Sequence, residues 1–197
     1  MPMRDHLQAR HLLAQAEQLA GRGAGPGRPR QVDLRRAVSA AYYAVYHEVT
    51  LRSAAQIIGY DQTAVQPPAP PVAHLVRWFS HNAVAHAVRL TQQLASPEVD
   101  ERWKPGRRAA WEVLHDRHRR ALPAHLLRTV RRIRDLQERR VVADYDRVTP
   151  ISRAHALSAV QQARGAIGSI AAHADDDPYM GFFALVALCS QRLPPGV

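Results

Sequence analysis

This chain has almost no cysteine, a single lysine and no long apolar run. Cys189 is the only cysteine among 197 residues, which excludes an intramolecular disulfide. No stretch approaches the roughly 20 apolar residues that a transmembrane helix needs. The first ten residues also lack the apolar core of a secretion signal. We therefore expect a protein of the reducing cytoplasm that has no membrane partner.

Acidic residues are also scarce relative to basic ones. The chain has 27 basic and 17 acidic residues and a net charge of +10, and Lys104 is its one lysine. A GC-rich genome would explain arginine in place of lysine, but it would not explain the excess of basic over acidic residues. That excess predicts attraction to a polyanion, most simply RNA or DNA. A basic surface that binds no nucleic acid is the alternative.

Strand-like alternation is missing as well, and alanine supplies much of the 46% hydrophobic content. These features predict an all-α fold, an up-and-down bundle of about five core helices in a single domain over residues 1–197. We expect a core over residues 4–173, a proline-rich linker at 59–71, an Arg/Trp-rich insertion at 96–122 and a short C-terminal helix at 179–192. The core helices are predicted at 4–20, 33–58, 72–95 and 123–142, and a fifth is predicted from Pro150 onward with Thr149 as its cap.

The helix over 33–58 is the expected centre of the bundle, with Asp33 as its N-terminal cap. At 100° per residue one side is small and apolar, and it comprises Ala37, Val38, Ala41, Ala44 and Val45. A second side is polar and aromatic, and it comprises Arg36, Ser39, Tyr43, His47 and Thr50, with Tyr42 and Tyr46 along its edge. This second side predicts a polar seam between helices.

The helix over 123–142 has an apolar stripe and a basic face. Its basic residues are Arg128, Arg131, Arg132 and Arg139. They form either a solvated charged face or a track for a phosphate backbone. Just beyond, Asp144 would oppose the helix dipole and needs a cationic partner, for which Arg140 and Arg36 are candidates.

The insertion places two tryptophans among basic residues, namely Trp103, Trp111, Arg107 and Arg108. Such tryptophans either stack on exposed bases or anchor the insertion to the bundle. His74, His81 and His86 fall close together along the chain, but no acidic or cysteine partner completes a tetrahedral site. We therefore expect no metal ion and no cofactor.

Two segments resemble a known family. The segment LRRAVSAAYYAVYHE is similar to the arginine–small–Tyr–Tyr–Ala–x–aromatic–His signature of HEPN-domain proteins, and LQERRVVADYD resembles that fold's Arg-x-x-Ala-Asp-Tyr-Asp segment. The resemblance covers about residues 4–173. It implies a helical bundle that is commonly a homodimer, and often a ribonuclease in toxin–antitoxin, stress or defence systems.

In active members of that family, an arginine and a histidine with four to six residues between them converge across the dimer as a metal-independent ribonuclease site. Here no histidine occurs between positions 139 and 146. Our candidates are instead His47 for acid–base steps, Arg36 or Arg139 facing phosphate, and Asp144 beside them. Arg36 and His47 share a helix face but lie roughly 16 Å apart along it.

The remaining candidates form the polar seam, which we predict to comprise Ser39, Tyr42, Tyr43, Tyr46, Arg140, Tyr145 and Asp146. One alternative is that the seam only fixes helix register. Another is a catalytically inactive, dimeric interaction module that holds a partner such as a nucleotidyltransferase-type antitoxin. Small-nucleotide binding in the seam rests on fold analogy alone.

Overall fold

Helices dominate the computed structural model, which describes residues 8–21, 29–58, 70–96, 98–105, 108–109, 111–112 and 123–172. Six helices are delimited within these ranges: α1 (Ala9–Leu19), α2 (Gln31–Ile58), α3 (Pro70–Val76), α4 (His81–Leu94), α5 (Ala124–Tyr145) and α6 (Arg153–Ala172). No residue within them forms a strand. The all-α bundle expected from composition is confirmed.

Helix α2 is the centre of the bundle, as its pattern predicts. It packs against α1, α3, α5 and α6, whereas α4 packs on α5. Its buried side is built mainly from small side chains, and Ala37, Ala41 and Ala44 are completely buried. Small side chains at a contact let helix axes approach closely, so α2 can touch several neighbours at once.

Helices α5 and α6 supply the other main apolar stripes. The fully or nearly fully buried residues of α5 include Leu126, Val130, Ile133 and Leu136, and those of α6 include Ala156, Val160, Ala163 and Ile170. Leu127 and Ile167 lie at the edge of this core and are only partly buried. The spacings of three and four residues therefore identified the packed faces of both helices.

The start of α2 differs in detail from the prediction. Asp33 lies inside the first turn and is not the N-cap. Its carboxylate accepts hydrogen bonds from the backbone N–H of Arg30 at 3.3 Å and from Arg30 Nε at 3.1 Å. The Arg30 side chain accordingly lowers the pKa of Asp33. Asp33 thus reaches back to the residue that precedes the helix, as the second half of a capping box does.

The single helix predicted over 72–95 is wrong, because a turn at residues 77–80 divides it into α3 and α4. The backbone N–H groups of Arg77 and Trp78 bond to carbonyls three residues back, which tightens the end of α3. Ser80 then caps α4 by accepting the N–H of Ala83 at 3.1 Å. The turn leaves the side chain of Trp78 66% exposed.

The predicted start of the last core helix at Pro150, with Thr149 as its cap, is also wrong. Helix α5 continues through Tyr145, and α6 begins only at Arg153. Between them the carboxylate of Asp146 accepts the backbone N–H groups of Val148 (2.8 Å) and Thr149 (3.1 Å), and also the Thr149 hydroxyl. These hydrogen bonds, the hydroxyl's first, lower the pKa of Asp146. Thr149 therefore closes a turn and does not cap a helix.

Parts of the predicted organisation lie outside the described residues. These are the C-terminal helix at 179–192, most of the linker at 59–71 and much of the insertion at 96–122, including Arg107. None of the helices in the described ranges combines the length and apolar character that crossing a bilayer requires.

Candidate functional site: an arginine–tyrosine–histidine cluster

Arg140 of α5 is the centre of a cluster that joins α2 to the end of α5. Its Nε lies 2.7 Å from Asp144 Oδ2, one turn along the helix, and its Nη2 donates to the Tyr43 hydroxyl of α2 at 3.1 Å. Its guanidinium carbon is 5.5 Å from the ring centroid of Tyr43 and 5.7 Å from those of Tyr42 and Tyr145. The tyrosine-rich helix and the acidic segment therefore meet, as the sequence predicts.

Asp144 has a second partner, and it is not Arg36. The Ser39 hydroxyl of α2 donates a short hydrogen bond to Asp144 Oδ1. Arg140 is thus the cationic partner of Asp144, and Ser39 makes the contact across the helix interface. Arg36 is exposed, and no hydrogen bond or ion pair joins it to another residue that the structure describes.

His81, the first residue of α4, completes the aromatic part of the cluster. Its ring centroid lies 4.2 Å from that of Tyr46, 5.4 Å from that of Tyr43 and 5.5 Å from that of Tyr42. The Tyr42 hydroxyl hydrogen-bonds to His81 Nδ1 at 2.9 Å. Three tyrosines of α2 thus surround one imidazole of α4, and we call these residues together with Arg140 and Asp144 the His81–Arg140 cluster.

The surroundings of His81 favour its neutral form. Burial lowers its pKa, and the electrostatic effects of Arg140 and His47 lower it further, against a smaller opposite effect of Asp144. Burial also raises the pKa of both Tyr42 and Tyr46, so their hydroxyls stay protonated. The Tyr46 hydroxyl donates to the Phe79 carbonyl in the turn before α4. Near pH 7 the cluster therefore holds a neutral imidazole beside a guanidinium.

Arg35 fixes the end of α5, which carries Asp144 and Tyr145. Its Nη1 donates to the backbone carbonyls of Val142 (3.2 Å), Ala143 (3.0 Å) and Asp146 (2.6 Å), and its Nη2 donates to that of Thr149 (2.6 Å). The Val142 carbonyl also accepts the Asp146 N–H, so Arg35 mainly supplies donors to carbonyls at and beyond the last turn of α5, and its charge complements the negative end of the helix dipole.

An open groove of about 530 Å³ lies between α1, α2 and α5, beside Asp144. Its polar lining includes Gln15, Arg36, Ser39, Tyr43 and Asp144, and its apolar lining includes Leu12, Leu19, Val32, Ala40 and Ala143. Arg36 and Asp144, two of the four catalytic candidates, therefore line one surface.

The other two catalytic candidates lie elsewhere. His47 is half-buried on α2, with its ring centroid 5.7 Å from that of Tyr46. Arg139 Nη1 donates to Ser158 Oγ on α6 at 3.2 Å. The structure thus does not bring His47, Arg36 and Arg139 around one point.

The predicted RNA-contact residues divide into exposed and engaged groups. Arg128 and Arg131 of α5 are exposed, whereas Arg132 is half-buried and its guanidinium lies over Gly165 of α6. Arg108 is exposed and donates to the backbone carbonyl of Glu101. On the predicted basic face of α5, Arg128 and Arg131 are therefore accessible to a ligand, whereas Arg132 packs against α6.

Trp103 and Trp111 pack, partly buried, against the core. Trp111 Nε1 also donates to the Ser96 carbonyl at 2.8 Å. These contacts support the interpretation that they anchor the insertion. Two seam residues lie at the rim of the bundle, since Tyr145 is 70% exposed and Asp146 holds the turn after α5.

The sequence pattern does not single out two contributors to this region, nor the nearby Trp78. His81 stands out only as one of three neighbouring histidines, and the helical pattern favours Arg36 over Arg35. A serine directly before a histidine at a helix start was the one available signal for His81. Within the described ranges, no group of three or more His, Cys, Asp or Glu side chains is placed to hold a metal ion.

Comparison with known proteins adds no assignment. No family model, no curated protein and no solved structure matches this chain.

Proposed function

We propose that this chain is a HEPN-like protein that binds RNA, in a bacterial toxin–antitoxin, stress or defence setting. The observation that carries the proposal is the contact of Tyr43 and Asp144 with one guanidinium, that of Arg140. These residues come from the two segments whose sequences resemble the family, and they lie 97 and 4 positions from Arg140 along the chain. The net charge of +10 supports a polyanionic ligand.

The geometry favours binding over cleavage. Cleavage by attack of the 2′-hydroxyl would need an acid–base group and a cation free to contact the phosphate. His81 suits the first role because its imidazole is neutral near pH 7. Arg140, however, already contacts a carboxylate and a hydroxyl, so a phosphate would have to displace Asp144.

Binding and cleavage are separated by one experiment with tRNA and mixed RNA in EDTA. We expect micromolar protein to retain RNA and leave it intact. Degradation that persists in EDTA, and that is lost in His81→Gln but not in His47→Gln, would show that the protein cleaves the RNA it binds. It would also assign a metal-independent ribonuclease site to the His81–Arg140 cluster.

The electrostatic part of the proposal is tested by salt titration of a labelled RNA. The variant Arg128→Ala/Arg131→Ala removes two exposed charges, and we expect it to weaken binding and to lower the slope of log affinity against log salt by up to about two. The matched control, Arg134→Ala/Glu138→Ala, removes an ion pair of 2.8 Å and leaves the net charge unchanged. Absence of salt-dependent RNA binding by the wild-type chain would refute the proposal.

A second candidate function is a protein-interaction module, and exposed apolar side chains favour it. Val148 is 90% exposed, Tyr145 70%, Val32 46% and Val142 39%. Arg35 of α2 binds the backbone of residues 142–149, so the start of α2 and the end of α5 lie side by side. A cognate antitoxin of the nucleotidyltransferase type, or a second copy of the chain, would cover such a surface.

This candidate is tested with Tyr145→Ser/Val148→Ser. We expect the mass in solution, or co-purification with the product of a neighbouring gene, to change in this variant and not in Val99→Ser, whose side chain is also exposed. An unchanged mass and unchanged co-purification would remove this candidate and leave RNA binding unaffected.

A further inference from the structure

We infer that the turn between α3 and α4 presents Trp78 as a stacking platform for an unpaired base, so that the RNA bound by this protein is single-stranded. The inference rests on the proposed RNA-binding function and adds to it the class of substrate. It assigns base contact to a residue outside the Arg/Trp-rich insertion and outside the His81–Arg140 cluster.

The first observation is the difference between Trp78 and the other two tryptophans. The side chain of Trp78 is 66% exposed, whereas Trp103 and Trp111 pack against the core. Tryptophan is usually mostly buried because its indole is large and apolar. An indole left largely in water is therefore available to a ligand.

The second observation is that the backbone holds Trp78 in place. Its N–H donates to the Leu75 carbonyl at 3.0 Å, and the next residue, Phe79, is 4% exposed. The Phe79 carbonyl accepts the Tyr46 hydroxyl, and Ser80 caps α4. The indole thus extends from a backbone that is fixed on both sides, which lowers the entropy lost when a base stacks on it.

The third observation is the sign of the charge around the turn. No aspartate or glutamate occurs in residues 62–97, a stretch that includes α3 and α4. Arg77, directly before Trp78, is exposed. The exposed face of α4 continues with polar and basic side chains at spacings of four, three and four, namely Asn82, His86, Arg89 and Gln93. This stripe extends for roughly 16 Å and itself carries no acidic side chain. The Glu138 carboxylate of α5, which lines the same groove as Arg89 and Gln93, is paired with Arg134.

An aromatic platform beside a basic stripe fits single-stranded nucleic acid better than the alternatives. Unpaired bases stack on aromatic side chains while their phosphates contact basic groups. The bases of a duplex are already stacked on one another and cannot do so. An apolar protein partner would be expected to meet further exposed apolar side chains, but Arg77, Ser80 and Asn82, which lie next to Trp78 along the chain, are exposed and polar.

The test compares Trp78→Ala, Trp78→Phe and the wild-type chain at one moderate salt concentration. Fluorescence anisotropy is measured with a labelled single-stranded RNA of about 12 nucleotides and with a duplex of the same sequence. We expect Trp78→Ala to weaken single-strand binding about fivefold or more, since one base–aromatic stack contributes about 1–3 kcal/mol. Trp78→Phe should retain most of the affinity, and duplex binding should be equal in all three.

Intrinsic fluorescence supplies a second readout that does not depend on affinity. Addition of the single strand should quench tryptophan emission in the wild-type chain, and the quenching should be largely lost in Trp78→Phe, which keeps Trp103 and Trp111. The thermal midpoint of each variant, followed by circular dichroism, is expected to match that of the wild type because the indole makes little contact with the core.

The outcomes separate this inference from the proposed function. If the wild-type chain binds RNA and Trp78→Ala binds the single strand equally well, the stacking platform is wrong and RNA binding stands. If Trp78→Ala weakens single-strand and duplex binding to the same extent, base stacking is wrong as well. If the wild-type chain binds neither RNA, the proposed function fails and the inference fails with it.

Discussion

Removal of the Arg35 guanidinium should destabilise the protein far more than removal of the Arg36 guanidinium. Arg35 donates to four backbone carbonyls at the end of α5, two of them at 2.6 Å. Arg36 is exposed and makes no hydrogen bond to the rest of the described chain. Arg35→Ala and Arg36→Ala therefore form a matched pair with the same change in composition and charge.

The magnitude follows from the contacts. Each of the two short hydrogen bonds contributes about 1 kcal/mol net, the longer ones share a single nitrogen and contribute less, and the charge at the helix C-terminus adds about 0.5 kcal/mol. The free energy of unfolding should thus fall by about 2–3 kcal/mol in Arg35→Ala and by less than about 0.5 kcal/mol in Arg36→Ala. For a chain of this size, the first change lowers the thermal midpoint by roughly 6 °C.

The assay is urea and thermal unfolding followed by circular dichroism, with Arg35→Lys as a third variant. Lysine keeps the charge, but its single ammonium group cannot bridge the carbonyls of residues 142–149 as the guanidinium does. The unfolding midpoint of Arg35→Lys should therefore lie between those of Arg35→Ala and the wild type. Equal midpoints for Arg35→Ala and Arg36→Ala would refute the assignment of Arg35 as the cap of α5.

Two further predictions concern α6 and the aromatic cluster. Gly168→Ala should stabilise the protein by about 0.5–1 kcal/mol, because a Cβ there meets no atom within 4 Å. Gly165→Ala should gain less, because its Cβ would lie 2.8 Å from the Arg132 guanidinium, and equal gains in urea unfolding would contradict that contact. Burial first, and then Arg140, lowers the pKa of His81 in the folded protein. As the pH falls below about 6.5, the imidazole therefore becomes protonated in the unfolded chain while it is still neutral in the folded one. Stability should therefore fall as the pH drops below about 6.5, and His81→Gln should show a smaller fall between pH 7 and 5; an unchanged pH dependence would argue against a buried neutral imidazole.

The faces of the long helices could be predicted because their apolar spacing is regular and uninterrupted. The small apolar side of α2 and the stripe Leu126–Leu136 of α5 are buried as expected. The meeting of Tyr43 and Asp144 came from the family resemblance, since periodicity alone gives no information about which helices touch. Both residues contact the Arg140 guanidinium, although the resemblance itself and the RNA-binding function stay predictions.

Ser80, the N-cap of α4, is the one local signal for the break between α3 and α4, and it is weak by itself. Arg77, Trp78 and Phe79 contain no glycine or proline, and apolar residues continue through them. The turn depends on a contact from another helix, in which the Tyr46 hydroxyl binds the Phe79 carbonyl. At the start of α6, a Thr–Pro pair is typical of a helix cap, but the carboxylate of Asp146 binds Thr149 instead.

The expectation that Arg36, and not Arg35, contacts the end of α5 is wrong for a similar reason. Adjacent residues on a helix differ by 100° in direction, so the crossing angle of α2 and α5 decides which one reaches the partner. The pattern of α2 favours Arg36, which shares a predicted face with Ser39 and Tyr43, whereas the packing of the two helices brings Arg35 to the end of α5. His81 joined the cluster for a related reason, because its position depends on where the turn after α3 places α4.

The alanine-lined side of α2 limits which sequences can adopt this architecture. Because Ala37, Ala41 and Ala44 are fully enclosed, even a few added methyl groups would separate the central helix from its neighbours. Tolerance at these three positions should follow side-chain volume more than polarity, so that serine or glycine is accepted where leucine is not. A diverged relative would then be recognised by small residues at this spacing, even after its surface charges and aromatic side chains had changed.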